Sequence, residues 1–138
     1  MAKPKTASEV EQLLSRLLKG GPLRRLPRTQ SETAVVLALG ASMVDPQRGY
    51  DEVEINRVIM EWMSGFCDQN RLDHVTMRRY MVDHRLLQRE AQGAGYRANQ
   101  TIIGTIIEPS ARSTIPGDIL DRLTIERAER KQAHAPEL

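Results

Sequence analysis

The stretch DHVTMRRYMVDHRLLQRE, residues 73–90, contains a helix start, an amphipathic helix and the first part of a hairpin. Asp73 is a residue type that often caps a helix N-terminus, because its side chain accepts a hydrogen bond from a free backbone N–H. Leu72 and Met77 have the spacing of a hydrophobic staple, so a helix is predicted from Asp73 to about Leu86. One face of this helix is apolar and is predicted to pack inward, and it carries Met77, Tyr80, Met81 and Leu87.

Basic side chains form a second strip on the same predicted helix. His74, Arg78 and Arg85 fall together on this strip, whereas Arg79 lies on another side with Asp83. An arginine can donate two parallel hydrogen bonds to a guanine edge or to a phosphate. The strip, if exposed, therefore predicts contact with DNA.

Ion pairing is the alternative use of these arginines. Arg78 or Arg79 would pair with Glu52 or Glu54 of the preceding helix and help to fix the packing of the two helices. Ion pairs of this kind are common in proteins, so both interpretations stay open for both arginines.

The following stretch, LLQREAQGAGYRAN at residues 86–99, is predicted to form a β-hairpin. Two short extended segments flank a turn rich in glycine, from Gln92 to Gly95. The hairpin would add Arg89 and Arg97 to the basic surface of the helix before it.

Two further helices are predicted upstream. Ser31 has the residue type of an N-cap for a helix to about Met43, which is apolar nearly all round and therefore expected to be buried. After the turn DPQRGY, residues 45–50, Tyr50 is expected to supply a short strand, and Asp51 with Glu54 begins a helix to residue 63. The apolar positions of that helix are Val53, Ile55, Val58, Ile59 and Trp62. Three helices followed by a hairpin predict a mainly α fold with a small β-hairpin, of winged helix-turn-helix type.

The N-terminal residues are basic. Ser8 and Glu11 have capping-box spacing and predict a first helix, which Gly20, Gly21 and Pro22 end. Residues 1–30 hold seven Lys or Arg against two Glu, a charge of +5 within a net charge of +2 for the chain. The segment LRRLPRTQ is therefore either a linker or a basic arm that binds phosphates. Its arginines are Arg24, Arg25 and Arg28.

The C-terminal residues are predicted to form an extension. TIIGTII, residues 101–107, has strong β propensity and is expected to add a strand or a partner-facing edge, and a helix follows from Asp118. The candidate partner interface consists of Ile102, Ile103, Ile106, Ile107, Ile119 and Leu123. The predicted organisation is a helix and basic arm over 1–30, a winged-helix-like domain over 31–99 and an extension over 100–138.

A second apolar patch on the helix after Asp73 predicts a covering element. Val75, Val82 and Leu86 lie on its far side, and the first helix, the TIIGTII strand or a second subunit would cover them. A homodimer is therefore one of the expectations.

Catalysis is not expected. Cys67 is the single cysteine, and neither it nor His74, His84 and His134 follow a metal-site spacing, so no metal or cofactor is predicted. Glu52 and Glu54 diverge on a helix and do not make a carboxylate pair. The chain lacks the roughly 20 apolar residues of a membrane span and the apolar run of a signal peptide, so a cytoplasmic protein is expected.

Three segments resemble a known family. YDEVEIN at 50–56, DHVTMRRYMVDHRLLQRE and the later Tyr96 are similar to the bacterial domain of unknown function 2087, which is found in proteins grouped with transcriptional regulators. The resemblance covers about residues 31–98. It implies a regulator-like role and supplies no catalytic residues. Met77 and Met81 stand where the family more often has Leu, a change compatible with a core.

Two functions are predicted from these observations. The first is a non-catalytic regulator of transcription that binds double-stranded DNA, and the alternative is a module that docks onto a larger regulatory assembly through protein contacts. The candidate DNA-binding residues are His74, Arg78, Arg79, Arg85, Arg89, Arg97, Arg24, Arg25 and Arg28.

Overall fold

The computed structural model describes residues 3–90 and 95–134, and over these residues the chain is mainly helical with one two-stranded antiparallel sheet. The α-helices are α1 (Ala7–Leu17), α2 (Gln30–Ala41), α3 (Glu52–Ser64), α4 (His74–Asp83), α5 (Gln100–Ile106) and α6 (Pro116–Ala133). The strands are β1 (Leu87–Arg89) and β2 (Tyr96–Ala98), and a 3-10 turn spans Pro109–Ala111. Among the helices of the described chain, none is long and apolar enough to cross a membrane.

The helices α3 and α4 begin where the sequence predicts. Asp51 caps α3 in a reciprocal capping box with Glu54, and the Asp73 carboxylate accepts a hydrogen bond of 2.8 Å from the Thr76 N–H. This hydrogen bond holds the pKa of Asp73 below its ordinary value. Both starts were predictable because capping depends on residues within one turn.

Replacing Asp73 with alanine is expected to lower the free energy of unfolding by about 1 kcal/mol at neutral pH. The pKa of Asp73 is lower in the folded chain than in the unfolded one. The contribution of Asp73 to stability is therefore fully present above its ordinary pKa, and it is lost as the pH falls through the lowered pKa of the folded chain. Urea denaturation across acid pH measures this loss. Asp73→Asn is the control, because it keeps the cap and should remove the pH-dependent part; an unchanged pH profile in Asp73→Asn would contradict the assignment.

The predicted caps of α1 and α2 are wrong by two residues. Thr6 caps α1 in a capping box with Glu9, whereas Ser8 lies inside the helix. Lys5 is held in an extended bridge just before Thr6, so the chain turns into the helix there. Thr29 caps α2 by accepting from the Glu32 N–H, and the predicted cap, Ser31, lies within the first turn.

Helix α2 lies at the centre of the core, as its apolar sequence predicts. Every residue from 35 to 41 is buried. A Cβ at Gly40 would lie 2.5 Å from the Met81 Cε and 2.7 Å from the Trp62 ring, so a glycine is required for α3 and α4 to pack this closely on α2. In α3, Ile55, Ile59 and Trp62 are buried, but Val53 is 66% exposed, contrary to its predicted inward position. Val53 lies in the first turn, where the neighbouring helices do not cover it.

The hairpin forms with the predicted strands. Leu87 pairs with Ala98 and Arg89 with Tyr96, and the predicted turn residues 92–94 lie outside the described residues. Tyr50 supplies the expected extended residue, because its N–H donates to the Tyr96 carbonyl at 2.8 Å and its carbonyl accepts from the Tyr96 N–H at 2.7 Å. Helix α4 ends at Asp83 instead of Leu86 because Arg85 adopts a left-handed conformation, φ 63°.

The predicted strand at TIIGTII is wrong, because these residues form α5. Asn99 caps the helix by accepting from the Ile102 N–H at 3.3 Å. The isoleucines also repeat with a spacing of four residues, which places Ile103 and Ile107 in the core. Helical spacing and a local cap therefore outweigh β propensity in this segment.

The two ends of the described chain are joined to each other. Lys5 forms a parallel bridge with Ile107, in which the Lys5 N–H donates to Ile106 at 2.9 Å and the Glu108 N–H donates to Lys5 at 2.8 Å. Helix α6 packs along α1, and the Arg122 guanidinium donates to Ser15 at 3.2 Å. We call this pairing of the termini the terminal clasp. Helix α6 begins at Pro116, two residues before the predicted Asp118.

Candidate nucleic-acid interface

Helix α4 presents one face to the core and the other to solvent. Met77 and Met81 are fully buried against the body of the protein, as predicted. Tyr80 is 41% exposed, so its predicted inward position is wrong. The outward face carries Val75, Arg79, Tyr80 and Asp83. Arg79, the exposed arginine of α4, is thus not part of the predicted strip of His74, Arg78 and Arg85.

Arg78 fixes the packing of α4 on α3. Its side chain is only 15% exposed, and its guanidinium lies 3.2 Å from the Glu52 carboxylate and donates to the Asn56 side-chain oxygen. The guanidinium also lies 5.7 Å from the centre of the Tyr96 ring. The ion-pair interpretation is therefore confirmed for Arg78, and its contact with DNA stays a prediction. Glu54 instead pairs with Arg48 at 2.9 Å.

The predicted strip of His74, Arg78 and Arg85 does not form a continuous surface. Helix α4 ends before Arg85, whose left-handed backbone directs the chain into the hairpin with its side chain exposed. His74 is half-buried and lies beside Val53 and Met60 on the α3 side. Only Arg85 of the three is exposed to solvent.

The hairpin arginines differ in how freely they face solvent. Arg89 is exposed, with its guanidinium 5.4 Å from the centre of the Tyr96 ring. Arg97 is engaged by the protein, because its Nε lies 3.3 Å from the Glu90 carboxylate and another of its nitrogens donates to the Pro46 carbonyl at 3.4 Å. Arg89 is therefore the better placed of the two for an external anion.

The basic segment before α2 has an anchored backbone. The Leu23 N–H donates to the Phe66 carbonyl at 2.8 Å, and the Leu23 carbonyl accepts from the Asp68 N–H at 2.9 Å. At the other end, the buried Thr33 hydroxyl donates to the Pro27 carbonyl at 3.0 Å. The backbone is anchored at both ends, while its three arginines are exposed. These are Arg24, Arg25 and Arg28.

A cleft of about 500 Å³ separates this arm from α4, and we call it the arginine cleft. Its arginines are Arg24, Arg25, Arg28 and Arg71. The α4 side contributes Thr76, Tyr80 and His84, and Leu26, Pro27 and Leu72 supply apolar surface. None of the described residues that line the cleft carries a carboxylate. Arg71 was not among the predicted site residues and Tyr80 was predicted to face inward, because only the tertiary fold brings them beside the arm.

A smaller pocket, of about 170 Å³, lies on the opposite side of α4. It is lined by Val75, Arg78, Arg79, Val82, Asp83, Arg89 and Tyr96. Exposed arginines therefore flank the outward face of α4 on both sides, four of them in the arginine cleft and Arg79 with Arg89 in the smaller pocket.

The predicted partner interface is largely inside the protein. Ile103, Ile107 and Ile119 are at most 4% exposed, and the other three residues pack against the same core. Leu86, part of the second apolar patch on α4, is also buried. Val75 of the same patch is 39% exposed, so the folded chain covers the second apolar patch only in part.

Nucleophilic chemistry at Cys67 is disfavoured by its surroundings, because burial raises the pKa of its thiol to about 12. Within residues 3–90 and 95–134, no three His, Cys, Asp or Glu side chains lie close enough together to hold a metal ion.

Arg78→Ala is expected to lower the free energy of unfolding by about 1 to 3 kcal/mol, because the change leaves a half-buried Asn56 without its charged donor. The exposed neighbour provides a matched control, and Arg79→Ala should change stability by no more than about 0.5 kcal/mol. Urea denaturation of the two variants checks this. Equal stability of both variants would show that the contacts of Arg78 contribute nothing to the fold.

A family model described as an uncharacterized protein conserved in bacteria (DUF2087) matches residues 22–98. Neither a curated protein nor a solved structure matches the chain. The matched residues include the arm, α2, α3, α4 and the hairpin, whereas α1, α5 and α6 lie outside the match.

Proposed function

The chain belongs to the bacterial DUF2087 family, and we propose that its family region is a DNA-binding domain of winged-helix type and that the protein acts as a transcriptional regulator. In this proposal α4 lies in the major groove of duplex DNA and the arm binds phosphates. The function is binding, without a catalytic step.

The order and contacts of the elements support the winged-helix assignment. Helices α2, α3 and α4 are followed directly by the hairpin, which is the order of that fold. The reciprocal hydrogen bonds between Tyr50 and Tyr96 attach the hairpin to the segment between α2 and α3. The hairpin is therefore held beside the C-terminal end of α4, where a wing contacts DNA.

The distribution of charge around α4 carries the proposal. A helix in the major groove runs between two phosphate backbones, so cations on both of its sides lower the energy of the complex. The arginine cleft supplies four arginines on one side, and Arg79 and Arg89 supply two on the other. Asp83, on the outward face, can accept from cytosine, which would give sequence preference.

Selection from a pool of duplex fragments tests this function. Purified full-length protein is incubated with the pool at increasing salt, and the retained fraction is sequenced. We expect one motif to be enriched, with a Kd below about 1 µM near physiological salt. Weak binding that disappears with salt and enriches nothing would contradict a regulator that recognises a sequence. Arg130→Ala, on exposed α6, is the control and should bind as the unaltered chain does.

A protein-interaction module remains the second candidate, and an apolar groove on α3 favours it. Val53 and Met60 are 66% and 43% exposed and line a groove of about 460 Å³ with Arg57. If a partner assembly binds there, Val53→Asp should abolish its capture without changing the fold. Met43→Asp, at another exposed methionine, is the control.

A further inference from the structure

We propose that the arginine cleft binds a nucleoside polyphosphate and that this ligand competes with DNA for the protein. The binding itself is independent of the proposed function, whereas the competition rests on it. The ligand class follows from the charge, the size and the aromatic wall of the cleft.

The positive charge of the cleft favours a ligand with several negative charges. Four arginines line it, and the described lining residues include no carboxylate to neutralise them. Arg71 lies 3.6 Å from Asp68, which is outside the lining, but both side chains are solvent-accessible, so this pair is weak. Arginine binds phosphate through paired N–H donors, which makes a polyphosphate chain the matching anion.

The size of the cleft suits a small organic molecule. Its volume of about 500 Å³ lies within the range of roughly 300 to 1,000 Å³ that is usual for such sites. A phosphate chain alone would leave its apolar surface, from Leu26, Pro27 and Leu72, uncovered. The ligand therefore requires an apolar part as well as its charges.

An exposed tyrosine indicates that the apolar part of the ligand is an aromatic base. Tyr80, on α4, is 41% exposed, and its ring lines the cleft beside His84, with the ring centres 6.5 Å apart. Aromatic side chains beside arginines are the usual means by which proteins hold an unpaired base, because every base can stack on a ring. We assign Tyr80 to the base and the arginines to the phosphates.

The cleft is formed before any ligand arrives. The arm is anchored at Leu23 and at Pro27 by the backbone and side-chain hydrogen bonds described above. A ligand therefore has to order arginine side chains but not the backbone that carries them. Because Thr76, Tyr80 and His84 belong to α4, a ligand in the cleft would occupy the flank of the helix that the proposed function assigns to DNA.

Isothermal titration of the full-length chain tests the ligand class without DNA, with ATP and tripolyphosphate as the probes in magnesium-free buffer. We expect saturable binding of one ATP per chain, tighter than that of tripolyphosphate. Arg25→Ala and Arg71→Ala should each weaken both probes by about tenfold. Tyr80→Leu should weaken ATP by about tenfold and leave tripolyphosphate unchanged. Arg130→Ala, outside the cleft, should change neither.

Three outcomes would overturn parts of the proposal. Absence of saturable ATP binding would overturn the site. Equal affinity for both probes, with no effect of Tyr80→Leu, would overturn the nucleoside component. ATP that binds but fails to displace a labelled duplex would overturn the competition. If ATP binds and no duplex is bound at all, the ligand site stands and the proposed DNA-binding function fails, so the two ideas are tested separately.

Discussion

The variant in which Arg24, Arg25 and Arg28 are all alanine is expected to bind duplex DNA on the order of 100-fold more weakly than the unaltered chain near physiological salt. Each phosphate contact releases counterions and adds about 0.9 to the slope of log affinity against log salt. Removing three contacts should therefore also reduce that slope by about 3. The fixed backbone of the arm makes the effect large, because its exposed arginines are already positioned beside α4.

A filter-binding or anisotropy titration at several salt concentrations measures both quantities. The matched control removes three exposed charges elsewhere, with Arg57, Arg130 and Lys131 changed to alanine. This control has the same net charge as the arm variant, so it separates local phosphate contacts from the general attraction between a basic protein and DNA. An equal loss in both triple variants would show that the arm is not a specific phosphate contact.

Phe66→Ala is expected to lower the free energy of unfolding by about 3 to 5 kcal/mol. The side chain is 1% exposed, and its ring packs edge-on against Trp62 with the centres 4.8 Å apart. The change would remove this contact and leave a cavity next to α3 that the rigid Trp62 cannot fill. Since domains of this size are stable by roughly 5 to 15 kcal/mol, the variant should lose a large part of its stability.

Urea denaturation monitored by tryptophan fluorescence measures this loss, because Trp62 is the only tryptophan of the chain. Met60→Ala, on the neighbouring helix α3, is the control, and the 43% exposure of Met60 predicts a loss below about 1 kcal/mol. A loss of similar size in the two variants would show that Phe66 is less tightly packed than its burial indicates.

The sequence predicted some of the helix starts, although other starts that depend on equally local caps, those of α1, α2 and α5, were missed. The starts of α3 and α4 followed from Asp51 and Asp73, because a cap and its partner lie within one turn. The end of α4 and the conformation of TIIGTII were not predicted correctly. The first depends on the left-handed backbone of Arg85, and the second on the cap from Asn99 together with burial in the core. The secondary-structure propensities of the residues predict neither the end of α4 nor the helix at TIIGTII.

The candidate site was predicted only in part, for a related reason. A helical projection of α4 correctly separated Arg78 from Arg79, but it could not say which of the two sides α3 would cover. The sequence also indicated a basic arm from its charge. It could not indicate the arginine cleft, since Arg71 and Tyr80 are distant from the arm in the chain and reach it only when α4 packs on α2.

The terminal clasp has a consequence for how the molecule folds and opens. Lys5 and Ile107 lie far apart in the chain, so their pairing closes a very long loop and forms only after the body between them has folded. Helices α1 and α6 should therefore behave as one unit that opens before the core does. In native-state hydrogen exchange, the amide hydrogens of Lys5 and Glu108 should exchange together and faster than those of α2, at denaturant concentrations where the core is still closed.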